Sequence, residues 1–291
     1  MRVLSFGEVL WDVYASSKHL GGASFNFAAH FKKCGGEAWI NTAVGDDDFG
    51  KETVNNVKKA GINTSYITIS EKETGKCFVT LNDKQIPSYK LLNNVAYDDI
   101  KKPAIAKGFF DALYFGTLAL RCENNRNVIK QIISENIFDT IFVDLNIRPP
   151  YYSVDVVRFA CVNATILKIS DEELPVVMDI LNKEESSLNN CAEILKEEFN
   201  NLKIIIITKG EEGSLVYECQ NRRFFPCRAQ KVNVVSTVGA GDSFSAAFLA
   251  KYLETNDISK ALSFAAKISA YVVSCIDAVP EYDVNTLNSF L

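Results

Sequence analysis

Eight residues near the C-terminal end of the chain, Thr237-Val238-Gly239-Ala240-Gly241-Asp242-Ser243-Phe244, place small residues at a turn and an acid just inside the helix that should follow. Amides at a helix start lack intrahelical partners, and the peptide dipoles leave partial positive charge there, so such a turn suits phosphate oxygens. Glycine at the turn allows uncommon backbone angles and a close approach of the anion. By residue type alone a Gly-Asp pair also simply begins a helix, because acids favour first turns. A dinucleotide turn is a rival, since Gly239-Ala240-Gly241 begins a GxGxxG pattern. Phe244, however, occupies the third glycine position, and a second helical stretch follows where a βαβ unit needs a strand. The chain has no Gly-x4-Gly-Lys-Ser/Thr stretch, which excludes a Walker-type site.

The same eight residues resemble the C-terminal signature of the PfkB (ribokinase-like) carbohydrate kinases. On that resemblance the amides of Gly239, Ala240 and Gly241 form an anion hole for the transferring phosphoryl group, and Asp242 takes the proton from the sugar hydroxyl. Phosphoryl transfer is mostly positioning and charge stabilisation, so a modestly basic carboxylate suffices. A helix N-terminus should keep that carboxylate ionised. Gly21-Gly22-Ala23-Ser24-Phe25-Asn26, followed by Gly35-Gly36 and by Val44 to Gly50, resembles the N-terminal signature. It implies that Gly21, Gly22 and Asn26 meet the sugar hydroxyls. Asp12, which follows Gly7-Glu8, matches the carboxylate that grips two hydroxyls at the end of the first strand, although out of context it reads as an exposed loop acid. The acids Asp46 to Asp48 read as a turn and helix start rather than a metal site, because nothing nearby adds ligands.

On the nucleotide side, Thr208-Lys209-Gly210-Glu211-Glu212-Gly213 is similar to the family's threonine-x-glycine segment. The likeness places Thr208, Gly210 and Gly213 near ATP, together with Thr237 from the C-terminal signature. Lys168-Ile169-Ser170-Asp171-Glu172-Glu173-Leu174 resembles the family's Asn-x-x-Glu segment, with Ser170 in the asparagine place. That puts Lys168 beside the nucleotide and gives Glu173 the role of holding Mg²⁺ through water, an arrangement suited to an ion that keeps most of its hydration.

Asp144-Leu145-Asn146-Ile147-Arg148-Pro149-Pro150, Phe115 to Leu120 and Lys168 to Leu174 resemble the fructokinase version of these segments. The implied reaction is phosphorylation of fructose to fructose 6-phosphate. Kinases for 2-keto-3-deoxygluconate, ribose or a nucleoside are the alternatives within the family, and a non-catalytic sugar-binding regulator is the alternative outside it. Arg148 either adds positive charge near the sugar and phosphates or forms a structural salt bridge. Ser236 stands where the family often has an aspartate that helps bind potassium, which weighs against activation by a monovalent cation. Asp277 stands where related kinases often carry glycine, Ala266-Lys267 replaces an asparagine-alanine pair near the adenine pocket, and Lys209 is a bulky charge in the nucleotide segment.

Such residues need a scaffold, and the apolar pattern supplies one. Strands are expected at Arg2–Ser5, Ala38–Ala43, Ala112–Phe115, Thr140–Asp144, Ala164–Ile169 and Lys203–Thr208. Ile204-Ile205-Ile206-Ile207 is continuously apolar, as for a parallel strand covered on both faces. Helices are expected at Phe25–Cys34, Phe49–Ala60, Asn124–Glu135, Asp171–Leu181 and Ala192–Phe199, with Gly241–Leu253 and Ser259–Ser274 closing the chain. Alternation of this kind predicts a three-layer α/β/α domain over residues 1–291 with a mostly parallel central sheet. Val9–Ala15 and Lys76–Leu92 read as extended segments of a small β lid, with Asn82-Asp83 at a turn and Tyr14, Phe78, Tyr89 and Leu91 either lining the pocket or packing the lid. The family likeness makes a homodimer through that lid an expectation.

Composition narrows the partners. A net charge of -5 disfavours nucleic acid and acidic membrane surfaces; small-molecule sugar and ATP are the ligands that the family resemblance implies. No stretch approaches the roughly 20 apolar residues of a membrane span, and Met1 to Gly7 reads as a first strand rather than a signal peptide, so a cytoplasmic location is expected. Eight cysteines without a Cys-x-x-Cys pair and only two histidines exclude a clustered zinc site, and the thiols are expected to be reduced.

Overall fold

In a computed structural model the protein is described at residues 1–81, 87–184, 186–284 and 287. The apolar runs form one sheet of nine strands among these residues, in the order β13-β12-β11-β10-β9-β8-β1-β4-β5. Here β1 is Arg2–Phe6, β2 Leu10–Val13, β3 Lys18–Gly21, β4 Glu37–Gly45, β5 Ile67–Ser70, β6 Lys76–Leu81, β7 Pro87–Leu91 and β8 Ala112–Gly116. The later strands are β9 Thr140–Asp144, β10 Ile166–Ser170, β11 Ile204–Thr208, β12 Ser214–Glu218 and β13 Arg223–Cys227. Pairing is parallel from β5 through β11, and only β12 and β13 run antiparallel.

Helices cover both faces, as continuously apolar parallel strands require. The helices are α1 Ala23–Lys33, α2 Asp48–Lys59, α3 Glu123–Glu135, α4 Val154–Asn163, α5 Leu174–Ile180, α6 Leu188–Glu198, α7 Ala240–Thr255 and α8 Ile258–Val273. Leu4, Leu113, Val143, Leu167 and Ile205 pack toward α3 to α6, whereas Val3, Tyr114, Phe142, Ile166 and Ile206 pack toward α1, α7 and α8. The three-layer expectation holds.

Sequence patterning missed β3, β5 and the β12–β13 hairpin. Lys18-His19-Leu20-Gly21 has too few apolar positions to mark a strand, and Pro226 lies in a sheet-edge strand, where a missing N–H is tolerated. The helix expected from Asp171 starts at Leu174, because residues 171–173 form a turn closed by Glu173 N on Ser170 O at 3.1 Å. Asp47 caps α2 through Gly50 N at 2.7 Å and accepts from Thr74 N at 2.9 Å, so the acid run is the helix start it was read as.

A second sheet, β3-β2-β6-β7, stands over one end of the first. Its inner core joins Leu10, Cys77 and Val79 to Val95, Tyr97 and Leu118, with Tyr14 and Leu91 packed against it. Phe78 and Tyr89 are exposed, so the four lid residues divide between packing and surface. The Asn82-Asp83 turn lies outside the described residues. Trp11 Nε1 ties the lid to α2 through Thr53 Oγ1 at 2.8 Å. Arg121 grips Asp98 with two bonds of 2.8 Å and the lid's return strand through Leu92 O at 2.8 Å, a buried bidentate anchor.

Candidate active site

Gly239 ends the turn before α7 in a left-handed conformation, φ 81°, and a Cβ there would fall 2.5 Å from Ala278 O. Only glycine meets both conditions without strain. Asp242 follows in the first turn of α7, half-buried, with Asn26 Nδ2 of α1 donating to its Oδ2 at 2.8 Å. Burial pushes the carboxyl up to about 6, and Asp144 pushes the same way, while Asn26, Lys168 and Arg148 pull it down. The helix N-terminus was expected to hold this group ionised. Desolvation raises its pKa, but a carboxyl near 6 is still mostly ionised at neutral pH.

Beneath the turn lies a buried pair that the sequence did not single out as a unit. Lys168 Nζ of β10 donates to Asp144 Oδ1 at 2.9 Å and Oδ2 at 2.7 Å, and Ser245 Oγ of α7 donates to Oδ2 at 2.9 Å. Burial works against the Lys168 charge, but Asp144, Glu173 and Asp242 together hold its pKa above the usual lysine value. The ammonium lies 3.3 Å from the position a Cβ on Gly241 would take, directly below the turn. Asp144 opens a fructokinase-like segment but had no role assigned in it, and Ser245 carries no motif; the parallel register Lys168↔Asp144 brings the acid there.

On the lid side, a Cβ on Gly21 would fall 2.8 Å from Asp12 Oδ2, so Gly21 lies against that carboxylate. Gly22, φ 103°, is the residue before α1, and a Cβ there would meet Glu8 O at 2.6 Å. Burial raises the Asp12 pKa, while His19, a hydrogen bond from Cys77 and Arg148 lower it. Arg148 is exposed and forms no ion pair among the described residues; its charge reaches Glu8, Asp12 and Asp242. Glu8 is buried, with Oε1 accepting from Ala23 N at 3.1 Å and Oε2 unpartnered. Its burial pushes the carboxyl up to about 7. The buried Asn26 Oδ1 and Tyr114 OH are unpartnered as well.

The remaining groups sit at the C-terminal ends of β10 and β11. Glu173 Oε2 accepts from Ser170 N at 2.7 Å and Oε1 from Ile147 N, so backbone amides fix the carboxylate from two sides. No group of three or more His, Cys, Asp or Glu side chains that could hold a metal occurs among the described residues. One oriented carboxylate suits Mg²⁺ that keeps its waters and takes phosphate oxygens, rather than an all-protein cage. Thr208 ends β11 and its carbonyl accepts from Asp171 N at 2.9 Å. Gly210, φ 52°, has open space around its missing Cβ, whereas Gly213, φ 99°, packs against Cys227 O. Thr237 is exposed, and Ser236 Oγ accepts from Val238 N at 3.3 Å. Val234, Val235, Val238 and Ile276 form exposed apolar positions along the segments beside Gly239, joined where Val235 N bonds Val273 O at 2.8 Å.

One supporting residue had no sequence signal. His30 of α1 is fully buried, with Nε2 on Ala278 O at 2.9 Å and Nδ1 on Tyr282 OH at 2.7 Å. It fastens the loop that backs Gly239. A hollow lined by Asp139, Thr165, Lys203 and Asn256 opens at the opposite, N-terminal ends of β10 and β11 and gathers none of these groups. All eight cysteines are free.

The pattern described as pfkB family carbohydrate kinase matches residues 3–283. Fructokinase-2 of Oryza sativa subsp. japonica is 28% identical over 88% of this chain and 81% of its own length. A 5-dehydro-2-deoxygluconokinase of Geobacillus kaustophilus is 26% identical over 91% and 82%. An uncharacterized sugar kinase from Pyrococcus horikoshii in complex with ATP has a TM-score of 0.80 at 25% identity, covering 99% of this chain and 97% of its own. Fructokinase from Vibrio cholerae O395, in its fructose, ADP and calcium ion bound form, shares the fold with a TM-score of 0.84 at 20% identity, covering 100% and 98%.

Proposed function

The chain belongs to the pfkB family of carbohydrate kinases, and from that premise we propose that it phosphorylates fructose with ATP, giving fructose 6-phosphate and ADP. The observation that carries the reading is the convergence of Asp242, Asn26 and the Lys168–Asp144 pair on the glycine turn that opens α7. In this mechanism fructose binds under the lid, with Asp12, Gly21, Gly22 and Asn26 on its hydroxyls and Arg148 at the mouth. ATP lies along the C-terminal ends of β10 and β11, contacting Lys168, Thr208, Gly210, Gly213 and Thr237, its base against the apolar shelf beside Gly239. The sugar oxygen forms a bond to the terminal phosphorus as the bond to the bridging oxygen of ADP breaks, and Asp242 takes the hydroxyl proton. A carboxyl near pH 6 is ionised in roughly nine of ten molecules at pH 7, basic enough for a loose transition state that asks little of its base. The turn's amides and the Lys168 charge beneath them offset the charge on the moving phosphoryl group. Mg²⁺, when bound, would neutralise phosphate charge, and Glu173 is the side chain that would hold it through water.

The fructokinase-like segments Asp144 to Pro150 and Phe115 to Leu120 support the choice of fructose, and the name of the rice relative agrees. The test is ADP release measured over fructose, ribose, 2-keto-3-deoxygluconate, 5-dehydro-2-deoxygluconate and adenosine. Highest kcat/KM on fructose is expected; a different best substrate overturns the sugar, and tight binding without turnover on any of them points to a regulator. With Ser236 in the aspartate position, the same assay with potassium replaced by a bulky ammonium ion should show little change. The lid also carries the expected homodimer, with Phe78 as its exposed apolar contact. Light scattering of the wild type and Phe78→Glu checks it, and equal monomeric masses would reject it.

A further inference from the structure

Glu8 has no part in the mechanism above, yet it lies within the site at 2% exposure with one carboxyl oxygen unpartnered. A buried acceptor without a donor is costly, and so is a buried carboxylate without a countercharge. Asn26 has the same defect. The amide's Nδ2 donates to Asp242, while its Oδ1 is buried and receives nothing. Both side chains lie at the start of α1. Glu8 Oε1 sits on the amide of Ala23 in the first turn of α1, and Asn26 is one turn further on. A helical side chain leans toward the N-terminus, over the preceding turn, which directs the Asn26 amide toward the end of α1 that holds the Glu8 carboxyl.

We propose that Glu8 is a positioning residue of the phosphoryl-transfer site, present as the neutral acid and donating its Oε2 proton to Asn26 Oδ1, directly or across one buried water. One proton then satisfies both unpartnered oxygens. It also fixes which way the Asn26 amide points, because the flipped amide would set an oxygen against the Asp242 carboxylate. The charged and titratable groups in the field of Glu8 are Asp242 from α7, Arg148 from the loop after β9, Tyr97 from the turn beneath the lid and Tyr114 from β8. The Tyr114 hydroxyl, third of the unpartnered atoms, offers a further ligand to a bridging water, which commonly makes about three hydrogen bonds.

The inference rests on Asp242 as the base and is tested beside D242N. E8L should lower kcat by about tenfold or more, the scale of a hydrogen bond to a charged group, while KM for ATP stays put. Without the Asn26 bond the Asp242 carboxylate is less stabilised, so the acid limb of the pH–rate profile in E8L should move up by roughly one unit. E8Q keeps an acceptor for Ala23 N and a donor for Asn26, and should recover the turnover that E8L loses, with its acid limb where the wild type has it. A limb in E8Q shifted to lower pH would mean that wild-type Glu8 is ionised and would overturn the proposal, as would E8Q no better than E8L. E8Q, an isostere of the neutral acid, decides the matter even if E8L does not fold. Impaired D242N with unimpaired E8L rejects Glu8 alone, and normal turnover in D242N rejects the base and Glu8 together.

Discussion

As the proposed base, Asp242 is held between two opposed requirements: it must be charged to accept a proton, and it is placed where charge is disfavoured. D242N should therefore cut turnover by roughly 10² or more, the range of a positioned general base, while sugar affinity stays within a few-fold. In the wild type kcat/KM should fall about tenfold per unit as pH drops below about 6, because the protonated carboxyl cannot accept. The raised value carries a stability penalty with a definite sign. It is absent below the ordinary carboxylate pKa near 3.8 and fully present above about 6. D242N should consequently melt a few degrees higher than wild type at pH 7 and no higher at acid pH, as calorimetry at the two pH values would show. Gly239 was legible because its turn confines the residue type, and Asp242 because the whole stretch from Thr237 to Phe244 resembles a known signature. Glu8 and His30 were not, since nothing in a one-residue context distinguishes a buried acid or imidazole from a solvated one.

At the scale of elements, the Asp144–Lys168 pair joins β9, β10 and, through Ser245, the start of α7. Removing one member leaves the other charge buried and alone, so K168M should destabilise the protein by about 3–5 kcal/mol. The double change D144L/K168M should recover much of that stability and none of the activity. Chemical denaturation of the three proteins separates the structural from the chemical role; a double variant as unstable as the single one would place the loss elsewhere. Gly239→Ala is expected to reduce kcat strongly, since its Cβ would sit 2.5 Å from Ala278 O and its φ of 81° is one that L residues avoid. The central strands were legible because burial on both faces leaves an unbroken apolar run, as at Ile204–Ile207. The lid and the edge hairpin were less so. Their strands are half-solvated, interrupted by Lys18, His19 or Pro226, and owe their pairing to neighbours far away in sequence.

For the whole molecule, the buried ionisable groups set how stability varies with pH. His30 is held neutral, its pKa lowered to about 4 by burial, so stability present above the unfolded value near 6.5 is lost as pH falls from there toward 4. His30→Gln can keep both hydrogen bonds without titrating, and its melting temperature should fall less than the wild type's between pH 6.5 and 4.5. Equal slopes would show that His30 is not the group responsible. The three-layer architecture was readable from strand and helix alternation, while the geometry of the site depended on which strands become neighbours. The Asn26–Asp242 hydrogen bond spans 216 positions of chain. At a synthesis rate of roughly 5–20 residues per second, about 10–40 s separate the emergence of the two residues from a ribosome. During that interval a nascent chain already carries Asp12, Gly21, Gly22 and Asn26 but neither Asp242, the proposed proton acceptor, nor the glycine turn. On the proposed mechanism a chain that ends before Asp242 is therefore catalytically silent, and activity begins only when the late helices close onto the first.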